Sequence, residues 1–352
     1  MKTFIRATGN ISPQKTFDAA SFLQQPVIQD GNRMGCTEPD YLKYIDAKFI
    51  RRMSRIIKMG TAAAMECLQE AGVKNPDAIV MGTAYGCLED TGIFLKKMAE
   101  QNEEMLTPTA FIQSTHNTIG AQIALLLQCH NYNNTFVHRG FSFESALLDA
   151  MMLLGENTAT TVLAGAADEI TDYSHAILSR FGLYKNEAVS NTELYTAQSK
   201  GTIAGEGAAF FLLSNQPSEK DYATLDAIDT FYKPGNATEI KEQVTNFLSA
   251  NTLTAADIDV VVMGNNGDTK SDAVYTALSN TVFNNNVCVN YKHLCGEYPT
   301  STAFALWMAA KCIKEGKLPA VLSVPSPPPI KKILIYNHYQ NIHHSLMLVA
   351  AC

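Results

Sequence analysis

Charged side chains are scarce in this 352-residue sequence, at 17% of residues against 46% hydrophobic ones. So little charge with so much apolar surface excludes a disordered chain and leaves material for a substantial core. Positive charge is scarcer than negative: 27 Lys and Arg stand against 34 Asp and Glu, a net charge of -7. That balance argues against a nucleic-acid partner. No apolar run approaches the ~18 residues needed to cross a bilayer. The opening MKTFIRATGN turns polar too soon for a signal peptide. The eight cysteines form no CxxC pair. Their scatter fits reduced thiols of a cytoplasmic protein better than a disulfide framework or a zinc site. Low-complexity tracts are also missing, and the Pro-rich stretch 325–329 reads as a rigid loop.

What is present is an alternation of helical and extended patterns. At roughly 150 residues per domain, the length suits two packed halves or one large α/β unit. Residues 48–72 space their apolar groups as a helix does and stop at Gly72. DAIVMG follows, a short apolar run that reads as a buried parallel strand. Residues 143–155 and 300–314 predict helices. Residues 160–170, 205–215 and the final KKILIYN predict strands. The second half echoes the first: residues 239–264 again read as helix, turn and strand, and both strands end in Val-Met-Gly, at Val80-Met81-Gly82 and Val262-Met263-Gly264. Gly86, Glu89 and Asp90 follow the first copy, Gly267 and Asp268 the second. The echo predicts an internal duplication, with halves 1–215 and 216–352. Strand ends of the two halves would meet at a shared crevice, where α/β proteins bind ligands.

Several segments, in order along the chain, resemble the β-ketoacyl-[acyl carrier protein] synthases of the thiolase superfamily. They are Arg51-Arg52-Met53-Ser54-Arg55, the loop Gly82–Gly86, Pro108–Asn117, Leu163–Asp168, Gly205–Ala208 and Asn290–Gly296. The Ser114-Thr115-His116-Asn117 form of the third is most similar to short ketosynthase-like proteins of aryl polyene and flexirubin-type pathways. The resemblance implies a five-layered αβαβα thiolase-like fold, no cofactor, and an active site of one cysteine and two histidines. The cysteine, at a helix N-terminus, accepts the acyl group. The histidines polarise the malonyl carbonyl during decarboxylation.

All three are replaced here. Counting forward from Asn117 and back from Ala164 in the family's register puts Gly140 in the cysteine's place, within HRGFSFE. Asn266 and Glu297 take the places of the histidines, while Lys292 is retained. The glycine-rich gate late in the family gives way to Asn337-His-Tyr-Gln-Asn-Ile-His-His344. Glycine cannot carry an acyl group, and a glutamate opposes a malonyl carboxylate. The resemblance therefore implies a chain-length-factor-like subunit, non-catalytic in condensation, that pairs with an active ketosynthase. Two alternatives stay open: an acyltransferase or decarboxylase with a non-standard site, and a homodimeric acyl-binding scaffold.

By the same resemblance, Asn117, Phe141, Ser142, Cys295 and Asn337 line the pocket. The strand of Tyr132, Thr135, Phe136 and Val137 pairs across a dimer axis, with an active ketosynthase or with itself. Arg51, Arg52, Arg55 and Lys58 form a basic helix start that reads equally as a docking site for an acidic carrier protein or as a solvated face with salt bridges. Plainer readings attach to other residues. Ser142 and Ser145, near His138 and Glu144, suit helix capping. Cys87 and Cys295 suit small packing residues. His338, His343 and His344 have no carboxylate or cysteine at ligand spacing, so no metal is expected. Trp307 and Phe304 read as core.

Overall fold

A computed structural model describes the chain except residues 1, 18–21, 198, 326 and 328. Two residues of the Pro-rich loop thus lie outside the described ones. Ten strands make one sheet. They are β1 (Thr3–Ile11), β2 (Ala78–Gly82), β3 (Tyr132–Phe136), β4 (Thr161–Asp168), β5 (Gly207–Ser214), β6 (Ala223–Tyr232), β7 (Val260–Met263), β8 (Val287–Asn290), β9 (Lys332–Tyr339) and β10 (His343–Ala350). From the centre outwards the first half runs β1-β5-β4-β2-β3 and the second β6-β10-β9-β7-β8. Both have the same order, and the same mixture of antiparallel inner and parallel outer pairs. The halves join where Thr3–Ile5 pairs antiparallel with Ala223–Leu225. The division expected near residue 216 falls between β5 and β6.

Among the described residues there are eight longer helices: α1 (Arg55–Ala71), α2 (Leu88–Glu100), α3 (Thr118–Leu127), α4 (Ser142–Gly155), α5 (Asp172–Arg180), α6 (Ala237–Ala250), α7 (Ala273–Thr281) and α8 (Thr302–Glu315). Period-2 alternation sorts the strand side chains into layers. Ile79 and Met81 of β2 pack with α1 and α3, while Val80 between them packs with α4. In the second half Val261 and Met263 pack with α6 and α7, while Val260 and Val262 join the central cluster with α4 and α8. Helices lie outside, between and outside two half-sheets, in five αβαβα layers. The arrangement is the thiolase-like fold that the motifs predicted. Trp307 and Phe304 are buried in the central layer.

Three expectations need correction. The helix predicted over 48–72 is broken: a short turn at Ala47–Ile50 ends, and α1 starts only at Arg55 after Ser54 takes an extended cap (ψ 173). Gly72 does end it, left-handed at φ 70. KKILIYN is not the last strand. It continues to Tyr339, turns through Gln340 and Asn341, both at positive φ, and returns as β10 in full register. Two consecutive left-handed residues make the tight turn whose twist suits a hairpin. Val137 lies one residue beyond β3.

Candidate functional site

The helix α4 begins just after Gly140, the position that the motif register assigns to an acyl-accepting residue. Gly140 lies in the single turn Arg139–Phe141 that leads into it. The β9–β10 hairpin closes over this turn. A Cβ placed on Gly140 would lie 2.8 Å from Tyr339 Cβ and 2.9 Å from His343 Cβ. Position 140 therefore lacks a nucleophile and also the space for one. Phe141 packs edge-on against the His343 ring, with centroids 4.7 Å apart. Ser142 is buried; its Oγ accepts the His138 N–H at 2.8 Å and donates to the Arg139 carbonyl at 2.9 Å. Both of its hydrogen bonds go to the turn, and neither joins it to a base.

Asn266 and Glu297, the two positions that the motif register assigns to histidines, come together with Lys292. Lys292 Nζ donates to Glu297 Oε2 at 2.6 Å, and Asn266 Nδ2 donates to the same oxygen at 2.7 Å. Lys292 is fully buried and Glu297 nearly so. Burial pushes the Glu297 carboxyl above its usual range, against the pull of the Lys292 charge. Backbone geometry fixes this carboxylate. The Glu297 N–H donates to the Ile203 carbonyl and its carbonyl accepts from Gly205 N–H. At Gly205 an added Cβ would fall 2.1 Å from the Cys295 carbonyl, so the close approach requires glycine. Among the described residues Glu297 Oε1 has no partner. Glu297 and Asn266 line a cavity of about 330 Å³, together with Phe181, Tyr184, Thr202 and Tyr339. This cavity presents amide and carboxylate groups.

The remaining sequence candidates scatter. Asn117 caps α3 on the surface and lines a separate groove with Asn133, Asn134 and Thr135 of β3. It does not line the crevice. Cys295 is buried, with its thiol pushed well up by burial; Cys87 is likewise buried and pushed up. Neither is a ready thiolate. Asn337 is buried in β9, where its Oδ1 accepts from the Tyr291 hydroxyl at 3.1 Å. His338 stacks on Tyr275, and His344 Nδ1 shares a 2.9 Å hydrogen bond with the Tyr336 hydroxyl. Arg55 leaves the basic patch: its guanidinium grips the buried Glu206 from two nitrogens and also bonds Glu38. Arg51 and Arg52 remain exposed and Lys58 half-buried. Tyr339 and Tyr184 were missed by sequence reasoning, and nothing local marks them as lining the crevice.

One buried acid in α4 has no part in the crevice. Glu144 is fully buried, and neither of its oxygens has a partner at ordinary hydrogen-bond distance. Burial pushes its carboxyl up to about 7, with only partial relief from the Thr302 and Ser345 hydroxyls. Its folded value lies above its unfolded one near 4.5, so the fold favours the protonated acid. This stabilisation is full below pH ~4.5 and is lost as pH rises through ~7. Glu144→Gln cannot ionise. Its melting temperature relative to wild type should therefore climb from pH 4.5 to 8, by an amount equivalent to on the order of 3 kcal/mol. Calorimetry at a series of pH values measures this; two parallel curves would contradict it.

Residues 28–197 match the family model described as beta-ketoacyl synthase, N-terminal domain. This stretch is similar to the N-terminal domain of β-ketoacyl synthases. No curated protein matches the chain. Solved structures with the same fold include the ishigamide ketosynthase/chain length factor, with TM-score 0.80 and 15% identity over 100% of this chain and 99% of that one. A β-ketoacyl synthase from Burkholderia phymatum STM815 superposes with TM-score 0.76 and 15% identity, covering 100% and 99%. A ketosynthase (ApeO) in complex with its chain length factor (ApeC) from Xenorhabdus doucetiae gives 0.75 and 14%, covering 100% and 98%. The matched stretch includes the loop Gly82–Gly86, the segment 108–117 and the turn at Gly140.

Proposed function

We propose that this protein is a non-catalytic, chain-length-factor-like subunit of an acyl-chain-building ketosynthase, acting beside an active ketosynthase rather than condensing acyl units itself. The observation that carries the reading is position 140: glycine stands there, and Tyr339 and His343 fill the space where an acyl-cysteine would project. The Asn266–Glu297–Lys292 cluster adds to it. A carboxylate facing the crevice disfavours a malonyl carboxylate and offers no polarising imidazole. Two structures of the same fold are described as containing a ketosynthase with a chain length factor.

We assign the partner contact to β3. This strand ends the sheet, with β2 on one side only. Exposed Tyr132 of β3 and Val137 just beyond it, with Leu125 of α3 and Leu148 and Met152 of α4, form an apolar margin at this edge. An unpaired edge with an apolar margin of this kind invites a second strand. Arg51 and Arg52, free of the ion pairs that hold Arg55, are the side chains available to an acidic carrier protein.

Gly140→Cys should not restore elongation. The new side chain meets Tyr339 and His343, and overpacking of this kind costs about 1–3 kcal/mol. The missing histidines would each still leave a deficit of roughly 10²–10⁴-fold. Elongation assays with acyl carrier protein, alongside a melting curve, check both halves; measurable condensation by the single variant would refute the account of this site. The functional reading is tested by co-expression with candidate ketosynthases that retain the cysteine and both histidines, followed by size-exclusion chromatography. A stable one-to-one complex is expected. Elution of this chain apart from every such partner would overturn the reading.

A further inference from the structure

A second hollow lies on the α2–α5 side of the hairpin. It measures about 650 Å³, within the range of small-molecule sites. Leu88 and Leu95 of α2, Ile177 of α5, and Phe181 and Leu183 beyond it, line its walls. Several of these are strongly exposed for apolar residues: Leu95 at 51%, Ile177 at 54% and Phe181 at 75%. An apolar hollow left this open marks a binding surface rather than core. Its charge is one-sided. No Asp or Glu lines it, whereas Arg139 does, with His343 beside it. Among the described residues the Arg139 guanidinium has no hydrogen bond or ion pair. Arg139 also sits at φ 50, an uncommon backbone state for arginine, held one residue before the crowded Gly140.

We infer that this hollow binds an anionic amphiphile, a long-chain free carboxylate, non-covalently: its chain lies along α2 and α5 and its carboxylate on the Arg139 guanidinium. This rests on the reading that position 140 anchors no acyl group. An apolar chain supplies the area term, since burying each methylene is worth about 0.8 kcal/mol. The arginine fork supplies the charge-assisted hydrogen bonds that select a carboxylate over a hydroxyl or a cationic head. No covalent step is involved.

The test is calorimetric titration of the full-length protein with dodecanoate below its micellar range, alongside dodecanol and dodecyltrimethylammonium. Dodecanoate should saturate a single site and bind the tightest. Arg139→Gln should weaken dodecanoate roughly tenfold and change dodecanol by less than about twofold. Ile177→Glu, on an exposed position that the fold tolerates, should weaken both. The inference is overturned if dodecanoate does not bind, as would follow if a second subunit covers the hollow. It is equally overturned if Arg139→Gln leaves the preference for carboxylate unchanged, or if Ile177→Glu leaves binding unchanged. Failure here differs from failure of the subunit reading, which would show as a covalent acyl adduct on this chain.

Discussion

Lys292→Met is expected to destabilise the protein by about 3–5 kcal/mol at pH 8, because it leaves the Glu297 carboxylate buried without its cation. The pair sits at 2.6 Å with almost no solvent contact, so water only weakly replaces the lost cation. The loss should shrink towards pH 5. Burial already pushes the Glu297 carboxyl up, and without Lys292 it would rise further, so protonation relieves the penalty as pH falls. The double variant Lys292→Met, Glu297→Gln should recover most of the loss at pH 8, since no charge is then stranded. Denaturant melts at the two pH values measure all of this. A single-variant loss below about 1 kcal/mol at pH 8 would mean that the pair is not the ionic clasp described here.

The second large effect concerns β3. Its neighbour Thr83 donates its N–H to the Phe136 carbonyl at 3.0 Å, so Phe136 spends its backbone on the β2 side. In a strand the next residue points the other way. Thr135 therefore turns its N–H to the open edge, where the Asn134 side chain accepts it at 2.9 Å. Thr135→Pro deletes this outward donor without removing a bond to β2. The variant should keep its helical circular dichroism and lose its oligomer: wild type runs as a dimer, alone or with a ketosynthase partner, and the variant as a monomer or an insoluble protein. Multi-angle light scattering at micromolar concentration decides it. A monomeric wild type would remove the edge-pairing argument altogether.

These two sites illustrate what the sequence could and could not disclose. Local patterns were legible. The Val-Met-Gly echo located β2 and β7, and apolar spacing located α4 and α8, because periodicity reflects which face is buried. The last strand, His343–Ala350, escaped because its first three residues are polar and its pairing with Tyr339 depends on a turn without glycine or proline. Long-range contacts were not legible at all. Tyr339 and His343 reach Gly140 from some 200 residues away, and Arg55 finds Glu206 from 151 residues away. Thus the emptiness of position 140 could be read from the motif register, but its being filled from above could not. Asn117 failed for the related reason that a motif's order along the chain does not say which cavity its last residue faces.

The central claim is that this chain accompanies acyl chemistry without carrying the acyl group. Its most direct test is intact-mass spectrometry of the co-purified complex after incubation with acyl-loaded carrier protein. The account predicts a stoichiometric acyl adduct on the partner ketosynthase's cysteine and an unchanged mass for this chain. A stoichiometric adduct on this chain, mapped to Ser142, Ser145 or Cys87, would contradict it.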